Sequence, residues 1–180
     1  IMPSHNGFVQ SYNAQAGVDA DTHLIAEQRL SQQPNDKQEV APTVERLQQL
    51  PEALGEVDTL LADTGYFSEA NVITAESNGI TPYIPEGRQG HNEPLHERFA
   101  DDPPAPEQPN VVEAMRHRLK TRDGRAVYAQ RKSTVETVFG IIKQVLGFRQ
   151  FLLRGLDSVQ SEWSLVCIGW NLKRMHALRG

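Results

Sequence analysis

The chain has 180 residues, 38% of them hydrophobic and 23% charged, with a formal net charge of −5; these values suit one soluble globular domain and leave little room for two. No apolar run approaches the roughly 20 residues that span a bilayer, and residues 1–6 carry neither the basic stretch nor the apolar core of a signal peptide. The single cysteine, Cys167, excludes an internal disulfide, suits a reducing cytoplasm and reads as a small buried hydrophobe.

Residues 8–18 alternate as a strand, residues 19–22 have turn chemistry, and residues 23–30 read as a returning strand, which together predict a hairpin. Pro34, Asn35 and Asp36 stop that strand, with Asp36 placed to cap a helix over residues 37–50. Val40, Val44, Leu47 and Leu54 recur at helical spacing, and Pro42 either starts or kinks the helix. Residues 57–62 form a short apolar strand running into Asp63. Ser68 is an N-cap for a helix to Asn78, Gly79 is its C-cap, and residues 80–84 return as a strand. Strand, helix, strand with short links implies a parallel pair.

Residues 85–109 hold six prolines and little apolar material, the texture of an irregular insertion. His91 and His96 within it have no cysteine or clustered carboxylate at ligand spacing, so they read as solvated side chains and not zinc ligands. Helices are predicted over residues 111–120, 125–146 (ended by Gly147) and 156–178, the last one amphipathic, with an extended stretch at 148–153.

Charge is uneven along the chain. Residues 115–154 hold ten Lys or Arg against Asp123 and Glu136, a local +8 that leaves −13 for the remainder. Such asymmetry suits a region that meets an anionic partner, although a solvated helix face would look the same.

Two carboxylates occupy distinctive places. Asp63 sits where an apolar strand meets a loop, the position of ligand sites in open α/β sheets, although a turn-capping aspartate is the alternative. Glu136 sits in the helix predicted over 125–146. With Tyr128 as zero and about 100° per residue, Lys132 falls at about 40°, Lys143 at about 60° and Glu136 at about 80°. One stripe bordering the apolar face therefore carries a phenol, two ammonium groups and a carboxylate. The bland reading of that stripe is a Lys132–Glu136 pair on an ordinary helix. A strand-end aspartate and a helical glutamate suit two-metal phosphoryl transfer with Mg²⁺ or Mn²⁺, given a further carboxylate from a neighbouring strand.

Residues 8–178 resemble insertion-sequence transposases with a ribonuclease H-like DDE catalytic domain. The resemblance rests on Gly-Phe-Val-Gln-Ser-Tyr-Asn-Ala-Gln-Ala-Gly-Val-Asp at 7–19, Leu-Leu-Ala-Asp-Thr-Gly-Tyr-Phe-Ser at 60–68 and Lys-Ser-Thr-Val-Glu-Thr-Val-Phe-Gly-Ile-Ile-Lys at 132–143. The spacing of Tyr128, Glu136 and Lys143 looks like the Tyr-Arg-Glu-Lys signature of one group of these enzymes. The resemblance implies a mixed sheet flanked by helices, with Asp63 and Glu136 as the second and third metal-binding acids. It places Tyr128 and Lys143 near DNA phosphates. The group's Arg-x3-Glu spacing falls on Lys132, whereas Arg131 stands one residue earlier, so Lys132 takes the phosphate contact ahead of Arg131. It also implies that the first strand and its aspartate lie upstream of Ile1, since Asp19 and Asp21 fall in the hairpin turn and Asp36 reads as a cap.

The implied activity is metal-dependent cleavage and strand transfer of DNA at element ends. The protein would act in the bacterial cytoplasm at the nucleoid, as a homodimer on DNA. The alternatives are a non-catalytic remnant that binds DNA or a full-length copy, and a related nuclease that cuts without rejoining.

Overall fold

A computed structural model describes residues 2–4, 7–9, 11–87 and 101–180. The chain divides into two compact units: residues 1–34 with 130–180, and residues 35–129. Among the described residues the strands pair in three two-stranded ladders. The α/β character expected from the sequence is present.

In the first unit β1 (Met2–Ser4) pairs antiparallel with β2 (Gly7–Val9), and β3 (Asn13–Val18) pairs antiparallel with β4 (Ile25–Ser31). The single strand predicted over 8–18 is thus two strands in two ladders. The period-2 alternation runs through both, so it carries no sign of the change of partner. The β3–β4 turn is locked by the Asp19 carboxylate, which accepts from the Thr22 amide at 2.7 Å and from the Thr22 hydroxyl.

Helix α6 (Leu156–Leu178) lies along β4. Its side chains complete the strand's hydrogen bonding: Ile25 N–H donates to Asn171 Oδ1 at 2.8 Å and Leu30 N–H to Gln160 Oε1 at 2.8 Å, while Asn171 Nδ2 donates to the Ile25 carbonyl at 2.9 Å. Val159, Trp163, Cys167 and Trp170 bury one stripe of α6 against Ile25, Leu30, Val138 and Ile142. The helix is not amphipathic as predicted, because Leu165, Ile168 and Leu172 are exposed at 69%, 54% and 61% on its other side.

In the second unit β5 (Thr59–Leu61) and β6 (Thr81–Tyr83) form the expected parallel pair, joined through α2 (Glu69–Ser77). Ser68 caps α2 by accepting from Asn71 N–H at 3.1 Å, and Gly79 takes the positive φ of 75° that follows the helix end. Helix α1 (Val40–Gln48) begins later than predicted, because residues Asp36–Gln38 wind as a separate 3₁₀ turn. Asp36 therefore lies inside a turn and does not cap α1. Pro42 is the third residue of α1, where an N–H would have no helical partner, so it neither breaks nor kinks the helix.

Helix α3 (Val111–Arg118) opens with a capping box between Asn110 and Glu113. Val40, Val44, Val72, Ile80, Ile84 and Met115 form this unit's core. Of the irregular 85–109 segment, residues 88–100 and with them His91 and His96 lie outside the described residues. Its final part is anchored: the Asp102 carboxylate accepts from Arg122 N–H at 2.6 Å, and the Pro103 carbonyl lies 2.9 Å from His117 Nε2.

Candidate active site

The helix predicted over 125–146 is two helices, α4 (Arg122–Ser133) and α5 (Val135–Gln144), interrupted at Thr134. Thr134 is buried, with φ −100° and ψ −89°. Its hydroxyl points back onto the preceding turn, within hydrogen-bond reach of the Gln130 carbonyl at 3.0 Å and the Arg131 carbonyl at 3.1 Å. Threonine bonded to the i−4 carbonyl bends helices, and a β-branched pair such as Thr134-Val135 is among the weaker helix formers. Ser133-Thr134-Val135 was the sequence signal for the break, hidden by the strength of the apolar periodicity that follows it at Val135, Phe139 and Ile142.

The break changes which cation meets Glu136. On a continuous helix residues five apart point about 140° away from each other, at 100° per residue. Here the Arg131 guanidinium lies 2.9 Å from Glu136 Oε1. Arg131 is mostly buried, at 18%, and Glu136 is 54% exposed, so one edge of the carboxylate is held while the group still faces solvent. Glu136 is in the first turn of α5, where the helix dipole favours a negative charge. Lys132 is exposed and has no ion pair among the described residues. Lys143 lies two turns beyond Glu136 on α5, with Nζ 5.7 Å from the centroid of the Phe139 ring.

Asp63 stands just beyond β5 in the second unit, as the strand-end reading expects. It is half-buried and N-caps the 3₁₀ turn Thr64–Tyr66, its Oδ1 accepting from Gly65 N–H at 2.8 Å. A methyl group on Gly65 would come within 3.0 Å of Asp63 Oδ1 and 3.5 Å of Asp36 Oδ2. Glycine there leaves room for both carboxylates, a juxtaposition with no signal in the spacing of 36 and 63. Tyr128 also belongs to the second unit, half-buried against its core. The expected residues are therefore divided: Asp63 and Tyr128 in one unit, Arg131, Lys132, Glu136 and Lys143 in the other.

Several cations of the basic segment are engaged by acids. Arg116 meets Glu86 at 2.5 Å, and that hydrogen bond holds its pKa above the ordinary value. Arg118 meets Glu76 at 3.0 Å and donates to the Pro82 carbonyl at 3.0 Å. Lys120, Arg122, Lys132, Lys143 and Arg154 are exposed and have no ion pair among the described residues. With Arg149, which is exposed and bonded only to the Lys143 carbonyl and Gln144 Oε1, these are the cations of the segment open to an outside anion among the described residues.

Carboxylate oxygens are the donors that a hard divalent cation takes. Among the described residues no group of three or more His, Cys, Asp or Glu is placed to hold a metal ion. The donor type fits Mg²⁺ or Mn²⁺, and among the described residues a full donor set is not assembled.

Residues 105–176 match the family model described as "Transposase DDE domain". The matched stretch contains Tyr128, Arg131, Lys132, Glu136 and Lys143, and it leaves Asp63 outside. This match supports a DDE-class transposase. No curated protein and no solved structure matched the chain. No helix among the described residues is long and apolar enough to cross a membrane.

Proposed function

We propose, from the transposase DDE match across residues 105–176, that this protein cleaves and joins DNA strands at the ends of an insertion sequence. Asp63 and Glu136 are the metal-binding carboxylates of this reading, on a domain of ribonuclease H-like descent. The observation that carries it is Glu136 itself. It lies inside the matched stretch, half-exposed, held on one edge by a mostly buried arginine and flanked by exposed Lys132 and Lys143.

Each residue has a task in this reading. Arg131 orients the Glu136 carboxylate, and charge-assisted bonds of this kind are the stronger ones. Lys132 and Lys143 hold phosphates of the bound strand, and Tyr128 lies near a further phosphate. Asp63 and Glu136 would hold Mg²⁺ or Mn²⁺, which when bound stabilises charge on the attacking and leaving oxygens. Cleavage breaks a phosphodiester P–O bond as water adds to phosphorus; transfer repeats the exchange with a DNA hydroxyl in place of water. The working assembly is a homodimer on paired DNA ends.

The test is Mg²⁺-dependent cleavage of element-end DNA by the intact protein. Asp63→Asn keeps an oxygen for Gly65 N–H, and Glu136→Gln keeps the side-chain shape, so both spare the fold. Each is expected to abolish cleavage and leave DNA binding within about twofold, less than one phosphate contact is worth. Cleavage retained in either variant removes that residue from the site.

A further inference from the structure

The first unit contains a cleft of about 1100 Å³ bordered by β3, α5 and residues 148–156. Its volume slightly exceeds that of small-molecule pockets, roughly 300–1,000 Å³. Tyr12, Phe139, Phe148, Phe151 and Trp163 contribute to its wall. They form one aromatic cluster: Phe139 stacks on Trp163 at 5.8 Å between centroids, Phe148 meets Phe151 edge-on at 5.3 Å, and Tyr12 meets Phe151 edge-on at 6.3 Å. Three cations stand at the same cleft, Lys143, Arg149 and Arg154, and no acidic residue among the described residues lines it.

The loop that carries these groups is fixed. The Glu162 carboxylate of α6 accepts from the Leu152 and Leu153 amides at 2.9 Å and 3.0 Å. Arg149 donates to the Lys143 carbonyl at 3.3 Å and to Gln144 Oε1 at 2.5 Å, tying the loop to the end of α5. Arg154 is exposed, with no hydrogen bond or ion pair among the described residues. Leu152 and Leu153 are 77% and 50% exposed beside it.

We infer that this cleft binds an unpaired DNA strand, a nucleobase entering against the aromatic wall while its phosphates meet Arg154, Arg149 and Lys143. An aromatic wall beside cations and without acids is the composition that holds single strands, since every base has a face to stack. In a duplex those faces are covered by neighbouring bases. An apolar peptide would fill the wall and leave three cations unanswered. The inference rests on the DNA-processing reading above and adds to it a place for the strand that cleavage frees.

The test uses the whole chain and fluorescein-labelled DNA of about 12 nucleotides, single-stranded and as duplex, by anisotropy at about 50–200 mM salt. Single-stranded DNA is expected to quench the fluorescence of Trp163, which lines the cleft. Arg154→Ala should reduce the slope of log affinity against log salt by about 0.7 for the single strand. Phe151→Leu should weaken the single strand at least about fivefold with that slope unchanged. Duplex affinity should stay within twofold in both variants. Loss that is equal for duplex and single strand, or no loss in Arg154→Ala, overturns the cleft and leaves the DNA reading standing. Binding of neither DNA by the unaltered chain overturns both.

Discussion

Arg131 and Glu136 are five residues apart in sequence, and their charged ends meet at 2.9 Å across the helix break at Thr134. That contact separates two roles that the wheel merged. Arg131 engages the Glu136 carboxylate, while Lys132 stays exposed with no ion pair among the described residues. Arg131→Ala is expected to lower kcat of Mg²⁺-dependent cleavage about tenfold with KM unchanged, the signature of a positioning residue. Its cost in stability should be under about 1 kcal/mol, because the half-exposed partner is screened. Lys132→Ala should instead weaken duplex binding and reduce its salt slope by about 0.9. Salt-slope loss in Arg131→Ala together with none in Lys132→Ala would invert the assignment.

Much of the second unit was legible because its signals are local. Ser68 three residues before Asn71, Gly79 after the last turn, and the apolar run into Asp63 each specify their own element. The long α6 was legible in extent but not in character. Trp163, Cys167 and Trp170 mark the buried stripe at helical spacing, while Leu165, Ile168 and Leu172 are equally apolar and exposed. Composition cannot tell these stripes apart; contact with β4 does. Asp63 landed where the sequence put it. The partner of Glu136 did not, because a wheel assumes one continuous axis and Thr134 interrupts it.

Gly124, in the first turn of α4, is required by close approach. A Cβ there would lie 1.8 Å from the Arg118 carbonyl oxygen, a backbone atom that cannot swing aside. Gly140, inside α5 and exposed, has nothing within 4 Å of the same position. Gly124→Ala is expected to destabilise by about 1–3 kcal/mol, the range of strained or overpacked sites. Gly140→Ala should stabilise by about 0.5–1 kcal/mol through helix propensity alone. Urea unfolding at constant m decides both, and a neutral Gly124→Ala would mean that the turn between α3 and α4 relaxes freely.

The two tryptophans fasten α6 to the hairpin through their indole N–H groups. Trp163 Nε1 donates to the Gln15 carbonyl at 3.1 Å, and Trp170 Nε1 donates to the His23 carbonyl at 2.8 Å. Trp163→Phe keeps most of the ring packing and removes this hydrogen bond, at a cost of roughly 0.5–1.5 kcal/mol. Leu165→Ala, on the exposed side of the same helix, should change stability by less than about 0.5 kcal/mol. If the two substitutions cost the same, α6 is not held on β4 by the face described here.

Cys167 gives the fold a dependence on alkaline pH. It is buried on α6, and desolvation, with a smaller contribution from the Glu27 carboxylate, pushes its thiol from the ordinary 9.0 up to about 12. The folded chain therefore favours the neutral thiol. The unfolded chain releases that proton near pH 9, so the contribution is fully present below that value and is lost as pH rises toward 12. Unfolding free energy measured in urea should fall more steeply from pH 9 upward in the unaltered chain than in Cys167→Ala. The subtraction matters because lysines and tyrosines titrate in the same range. In the folded state the thiol should also resist a water-soluble disulfide reagent at pH 8 and react once urea opens the chain. Rapid native-state labelling, or identical pH profiles for the two proteins, would show that Cys167 is not sealed between α6 and β4.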